Sequence, residues 1–316
     1  MGPDLIVRQV RLAWGLDVHH ADYAPVGFGS HHWWLTGPGD QRWFATVDDL
    51  RMGDRSRATL DGALLAAFLL RETGLEFVVA PLPRPNGDLT EALSDRHVLA
   101  VYPHVDGEAP TYGRFESHER RQDVIGRLVA IHRSTDEARG IAPVDSLAIP
   151  QRADLDNTLA TMSRGWDSGP FAHGAHALLR SNAAGLATAL AAYDDLAGRI
   201  RATSDTWVIT HGEPHRGNTI VNDSGVHLID WETARIAPPE RDLWALIDED
   251  ARCRVEYTEL SGRELNDDAL DLYRRWWDLC EVSLYTAELR KEHGDTPETR
   301  IAWQCLRDHL AKAIAE

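Results

Sequence analysis

The chain has 316 residues, 43% of them hydrophobic and 26% charged, with 50 acidic residues against 33 basic ones and a formal net charge of -17. That is the composition of a globular chain long enough for two lobes, and its negative balance argues against a nucleic-acid backbone or an anionic membrane as a partner. Three scattered cysteines (Cys253, Cys280 and Cys305) form neither a disulfide framework nor a zinc pattern. The longest apolar run, Ala63 to Leu70, falls well short of the ~20 residues of a membrane span. Arg8 and Arg11 interrupt the N-terminus before a signal-peptide core can form. A cytoplasmic location is therefore expected.

In chain order, Pro3 to Leu16 spaces apolar residues as an amphipathic helix does. Gly27-Phe28-Gly29-Ser30 is a turn signal, followed by predicted strands at His32 to Thr36 and Arg42 to Val47 around the turn Gly37-Pro38-Gly39-Asp40. A helix is predicted over Ala58 to Arg71, then strands at Phe77 to Ala80 and His97 to Tyr102. Tyr102 to Pro110, with two prolines and a glycine, reads as a connector. Helices are then expected over Glu116 to Arg133, much of Ala172 to Arg201, Asn266 to Lys291 and Pro297 to Ala315. Short strands at Trp207 to Thr210, Thr219 to Val221 and Val226 to Trp231 interrupt them. The pattern predicts a small β-rich lobe over residues 1–105 and a larger helical lobe with a β insert over 106–316.

The chemistry concentrates in His211-Gly212-Glu213-Pro214-His215-Arg216-Gly217-Asn218, followed by Asp230-Trp231-Glu232. A loop after one strand, then a hairpin ending in a carboxylate, directs Glu213, Asn218 and Asp230 toward one point. A carboxylate able to orient or deprotonate a hydroxyl, beside an amide and a second carboxylate able to share a metal, is the equipment of phosphoryl transfer. Oxygen donors of this kind suit magnesium. A metallohydrolase using His211 and His215 is the rival reading. It requires both on one helix face, and Pro214 between flanking glycines disfavours an interior helix there.

The motif His-Gly-Glu-Pro-His-Arg-Gly-Asn with Ile229-Asp230-Trp231, and the tail Pro238-Pro239-Glu240-Arg241-Asp242-Leu243, resembles the aminoglycoside phosphotransferase family. The layout is closest to the spectinomycin phosphotransferases. The resemblance implies an α+β, two-lobed, protein-kinase-like fold and an ATP or GTP co-substrate. It implies Glu213 at the position of the catalytic base, with Asn218 beside it, and Asn218 and Asp230 on magnesium. Gly27, Gly29 and Ser30 would cover phosphates, Tyr102 would lie in the hinge at the adenine, and Arg241 with Asp242 would brace the loop. His211 would be a scaffold residue, and His215 would hydrogen-bond nearby backbone. Antibiotic resistance is the family's most familiar outcome.

Two departures stand out. Glu213 occupies a position that is aspartate in most of the family, so its carboxylate is displaced by one methylene. The family also carries a lysine on the third strand to hold the nucleotide phosphates, paired with an acid on the next helix. Aligning Arg42 to Asp48 with that strand places Thr46 at the lysine position and Asp61 nearest the acid. Only Lys291 and Lys312 are lysines in the whole chain, so a compensating cation comes from Arg51, Arg55 or Arg57, from magnesium alone, or from nowhere. Two functions follow: a small-molecule kinase acting on a hydroxyl of an aminoglycoside, aminocyclitol or related compound, or a catalytically impaired nucleotide- or ligand-binding pseudokinase. Asp248 to Glu281 holds eleven acidic residues against five arginines, which favours a cationic acceptor.

Overall fold

A computed structural model describes residues 2–26, 30–51 and 56–315. In chain order the elements begin with α1 (Pro3–Trp14), β1 (His20–Ala24), β2 (Ser30–Thr36), β3 (Arg42–Asp49), α2 (Arg57–Glu72), β4 (Thr90–Ala92) and β5 (His97–Pro103). Next come α3 (His118–Arg133), α4 (Thr135–Ala138), α5 (Arg152–Ala160) and α6 (Ala172–Arg201). The last set is β6 (Val208–Thr210), β7 (Thr219–Asn222), β8 (Gly225–Leu228), β9 (Arg235–Ala237), α7 (Glu240–Glu249), α8 (Arg252–Ser261), α9 (Asp267–Arg290) and α10 (Pro297–Ala315). The chain divides into two compact units, one of Met1–Val144 with Trp207–Glu264, the other of Asp145–Thr206 with Leu265–Glu316.

The first unit is built on an antiparallel sheet of order β1-β2-β3-β5-β4. Alternation along the strands separates its two faces. Trp33, Leu35, Ala45, Val47, Leu99 and Val101 share a core with Ile6, Val10 and Trp14 of α1. Proline at the start of α1 and left-handed Gly15 (φ 71°) at its end bound that helix, the Gly15 N–H returning to the Arg11 carbonyl. The opposite face is polar and aromatic, carrying Ser30, His32 and Trp34 from β2, Phe44, Thr46 and Asp48 from β3, and Tyr102 from β5. Helix α2 begins at a capping box in which Ser56 and Thr59 exchange side-chain-to-backbone bonds. It packs against the turn Trp231–Thr233.

Two small ladders complete this unit, β6 with β9 and the β7–β8 hairpin. The connector joins the hairpin by a pair of backbone bonds between Glu108 and Val221, at 2.8 and 2.9 Å. Phe77 to Ala80 is not the strand its apolar run predicts. The run is buried and makes only one bridge, Val78 to Leu228, so its hydrophobicity reflects enclosure rather than a ladder. The strand expected over Val226 to Trp231 ends at Leu228, because Asp230 turns left-handed and Trp231–Thr233 form a 3-10 turn.

The second unit is helical. The 30-residue α6 packs on α9 and α10, which pack on each other. Tyr193 of α6 and Ser283 of α9 tie down the segment before α5, donating to the carbonyls of Leu147 and Pro150 at 2.7 Å each. Among the described residues no helix is long and apolar enough to cross a membrane.

Candidate active site

The loop that follows β6 is held by buried side chains rather than by regular structure. His211 is fully buried, donates from Nε2 to the Ile229 carbonyl at 2.8 Å, and accepts the Glu213 N–H on Nδ1 at 3.3 Å. Those two partners select the neutral Nε2–H tautomer, and burial lowers the pKa of the ring. The ring also packs edge-on to buried Trp231, 4.6 Å between centroids. His211 is thus a scaffold residue spanning both halves of the motif.

Asp242, at the start of α7, fixes the loop backbone. Its Oδ2 accepts the His211 N–H at 2.9 Å and its Oδ1 the Gly212 N–H at 2.6 Å, while His132 Nε2 donates to Oδ2 at 3.1 Å. Burial by itself would raise the Asp242 pKa. The hydrogen bond from His132, with the charges of His132, His211 and Arg241, outweighs it and leaves the carboxyl below its ordinary value. Behind it, His132 Nδ1 shares a hydrogen bond with the Tyr257 hydroxyl at 2.9 Å. Arg241 reaches across to Thr210 Oγ1 and the Thr233 carbonyl, 3.0 Å each. Its guanidinium occupies the space a Cβ on Gly212 would need, and Gly212 has φ +102°, so this position admits little but glycine.

The β7–β8 hairpin then brings Asn218 and Asp230 together. The Ile229 N–H donates to the Asn218 carbonyl at 3.1 Å, placing Asp230 one residue beyond that tie. Buried Asn218 donates its Nδ2 to the Glu213 carbonyl at 3.0 Å, which directs its Oδ1 elsewhere. Asp230 lies in the left-handed region (φ 71°, ψ 61°), a conformation that aspartate tolerates better than most residues.

Electrostatics joins this loop to the open face of the sheet. Asp230 keeps accessible surface yet sits deep among protein atoms, and that burial raises its pKa well above the ordinary carboxylate range. Glu232 adds both a hydrogen bond and its charge, and Glu213 and Asp48 add theirs. Tyr102 is also pushed well up, by burial first and then by Asp48, Glu232 and Asp230, and it hydrogen-bonds Thr46. Glu213, Asn218, Asp230, Thr46 and Tyr102 therefore share one environment within the first unit. Ser30 donates to Asp48 Oδ1 at 2.6 Å. Gly27, Gly29 and Arg55 lie outside the described residues.

Asp48 and the role of Glu232 escape the motif reading. Asp48 follows Thr46 by two residues and so shares its face of β3, a signal open to strand periodicity. Asp61, the nearest match to the family's acidic partner, pairs with Arg57 of its own helix, one of the candidate compensating cations, at 2.7 Å. His215 Nδ1 is buried, its Nε2 is 4.0 Å from Glu213 Oε2, and its ring meets Tyr112 edge-on at 4.9 Å. Burial lowers its pKa to about 4, so the ring is neutral near pH 7.

The donor set suits a divalent ion. Asn218 has its N–H side committed and its oxygen remaining, and Asp230 is a carboxylate whose main electrostatic neighbours are other carboxylates. Among the described residues no three His, Cys, Asp or Glu side chains form a ready-made cage.

A five-stranded antiparallel sheet facing a braced loop with a carboxylate, an amide and a second carboxylate defines a kinase-like phosphotransferase. The chain belongs to the phosphotransferase enzyme family, which residues 22–310 match. Protein StrN of Streptomyces griseus is 30% identical over 263 residues, covering 79% of this chain and 76% of that protein. Among solved structures, spectinomycin phosphotransferase APH(9)-Ia in complex with ADP and spectinomycin superposes with a TM-score of 0.77 at 15% identity, covering 100% of this chain and 98% of its own. Amicoumacin kinase hAmiN gives 0.66 at 12% identity, covering 98% and 93%. Choline kinase LicA from Streptococcus pneumoniae gives 0.59 at 13% identity, covering 98% of each chain. At these identities the shared feature is the fold.

Proposed function

We propose that the protein is a small-molecule kinase that transfers the terminal phosphoryl group of ATP or GTP to a hydroxyl of an aminoglycoside, aminocyclitol or related cationic compound. The observation that carries this reading is the convergence of Glu213, Asn218 and Asp230 on a loop whose backbone Asp242 and His211 immobilise. Glu213 orients the acceptor hydroxyl and takes its proton as the new phosphorus–oxygen bond forms and the bond from the terminal phosphorus to the nucleoside diphosphate breaks, the diphosphate leaving. Asn218 Oδ1 and an Asp230 carboxylate oxygen are the magnesium ligands. The ion, when bound, neutralises charge on the transferred group. Residues 1–105 serve as the nucleotide lobe, with Ser30, Thr46 and Tyr102, together with Gly27 and Gly29, at the nucleotide, and 106–316 carry the catalytic and metal loops.

The negative balance of the chain, -17, supports a cationic acceptor. Three free cysteines suit a reducing cytoplasm. One observation favours the impaired-pseudokinase reading: Thr46 and Asp48 present a hydroxyl and a carboxylate on the face expected to offer an ammonium.

Calorimetry with Mg–ATP and Mg–GTP tests the metal assignment. Asp230→Ala is expected to abolish metal-dependent nucleotide binding, and unchanged affinity in that variant would contradict the assignment. A panel of amino-sugar antibiotics and neutral polyols tests the acceptor class, with turnover expected for the aminated compounds. Turnover confined to neutral or anionic alcohols would refute it.

A further inference from the structure

The first unit contains no lysine, since both lysines of the chain lie after residue 290, so any side-chain cation meeting a triphosphate there is an arginine or a histidine. Register places the arginines. Thr46 of β3 pairs with Ala100 of β5, and Ala100 pairs with Thr90 of β4. Directly opposed residues share a face, so Thr90 lies on the same face as Thr46, Asp48 and Tyr102. Arg42 shares that face but lies six residues from Asp48, at the far end of β3, where it is paired with Asp106 at 2.6 Å. Arg96 is bonded to Asp49, a residue of the opposite face, at 2.8 Å.

Arg57, at the first turn of α2, meets buried Thr90. Its Nη2 donates to Thr90 Oγ1 at 2.5 Å and its Nε to Asp61 Oδ2 at 2.7 Å, while Thr90 Oγ1 donates to Asp61 Oδ1 at 2.7 Å. The three side chains close a ring. A guanidinium carries five N–H donors, and the ring uses two of them. The Arg57 side chain keeps 37% of its surface exposed.

We propose that Arg57, oriented by Asp61 and Thr90, is the cation that meets the nucleotide phosphates in this protein, moving the charge from β3 to the first turn of α2. The inference rests on the nucleotide site proposed above. Asp61 holds the guanidinium in place, and Thr90 ties that arrangement to the sheet face carrying Thr46. Arginine is suited to this task because its planar fork binds two phosphate oxygens at once.

The test is calorimetry of the full chain with Mg–ATP and with adenosine. Arg57→Ala is expected to weaken Mg–ATP roughly 10- to 100-fold, the range of a lost charge-assisted hydrogen bond or two, and adenosine by less than about twofold. Thr90→Val, which keeps the volume and removes the tie, is expected to give a smaller loss with the same selectivity. Adding Thr46→Lys to Arg57→Ala is expected to restore most of the lost Mg–ATP affinity. Equal losses for ATP and adenosine with a lowered Tm would show a clip between α2 and β4 and overturn the proposal. Unchanged Mg–ATP affinity in both single variants would overturn it as well. Absence of nucleotide binding in the unaltered protein would overturn the nucleotide site itself, which separates that failure from a failure of Arg57 alone.

Discussion

Asp242 is the residue on which the geometry of the loop turns, because its two oxygens hold two backbone N–H groups and one imidazole in a fully enclosed place. Removing it strands those donors without water to receive them. Asp242→Ala is expected to lower stability by about 3 kcal/mol or more, measured by urea denaturation, and to depress turnover further still in the folded fraction. A loss below about 1 kcal/mol would contradict this account of the brace. Asp230 gives the opposite case, a carboxyl that the fold makes harder to ionise. Its folded-state pKa lies above the unfolded one, so between the two values the native state binds more protons. The contribution of this group to stability therefore falls as pH rises from about 4 through the raised value. Asp230→Asn keeps a side chain that accepts the left-handed backbone and removes the repulsion. In the absence of magnesium, the Tm of this variant is expected to gain on that of the unaltered protein as pH rises above the ordinary carboxylate range. Parallel Tm profiles would contradict the assignment.

Among the elements, α1 shows how the far side of the sheet is held independently of the chemistry. Trp14 packs into the core shared by β2, β3 and β5, and its Nε1 donates to the Leu82 carbonyl at 2.8 Å. Trp14→Ala is expected to cost about 3–5 kcal/mol in denaturant unfolding, the usual range for a buried indole, and to leave the Mg–ATP affinity of the folded protein unchanged. An equally large loss of affinity would mean that the two faces of the sheet are coupled. Elements with a strong local signal were legible from the sequence: α1, α2, α3, the long helices α6, α9 and α10, and the strands β2, β3 and β5. Those without one were not. β1, His-Ala-Asp-Tyr-Ala, alternates poorly, and β4 is three residues whose strand state comes only from pairing with β5. Phe77 to Ala80 erred the other way, since a short apolar run signals burial and not the partner that would make it a strand.

At the scale of the whole molecule, the loop after β6 and the hairpin after it were readable as one unit because their residues are close in sequence and hold one another. Glu213, Asn218 and Asp230 are close in sequence and are brought together by one loop and one hairpin. Arg57 and Asp61 could be named from the sequence, but Asp48 and the Thr90 that closes their ring were harder to see, since they depend on which strands are neighbours and in what register. Local pattern alone does not supply that information. The excess of carboxylates, both over the chain and around Asp230, gives the surroundings of Asp230 a negative field. The most direct test of the central claim is transfer of the labelled terminal phosphate of ATP to an aminocyclitol or aminoglycoside panel, run with the unaltered protein and with Glu213→Gln. Labelled acceptor is expected from the unaltered protein, reduced at least ~100-fold in the variant, the contribution typical of a general base. Equal transfer by both, or nucleotide binding by the unaltered protein with no labelled acceptor from any compound, would contradict it.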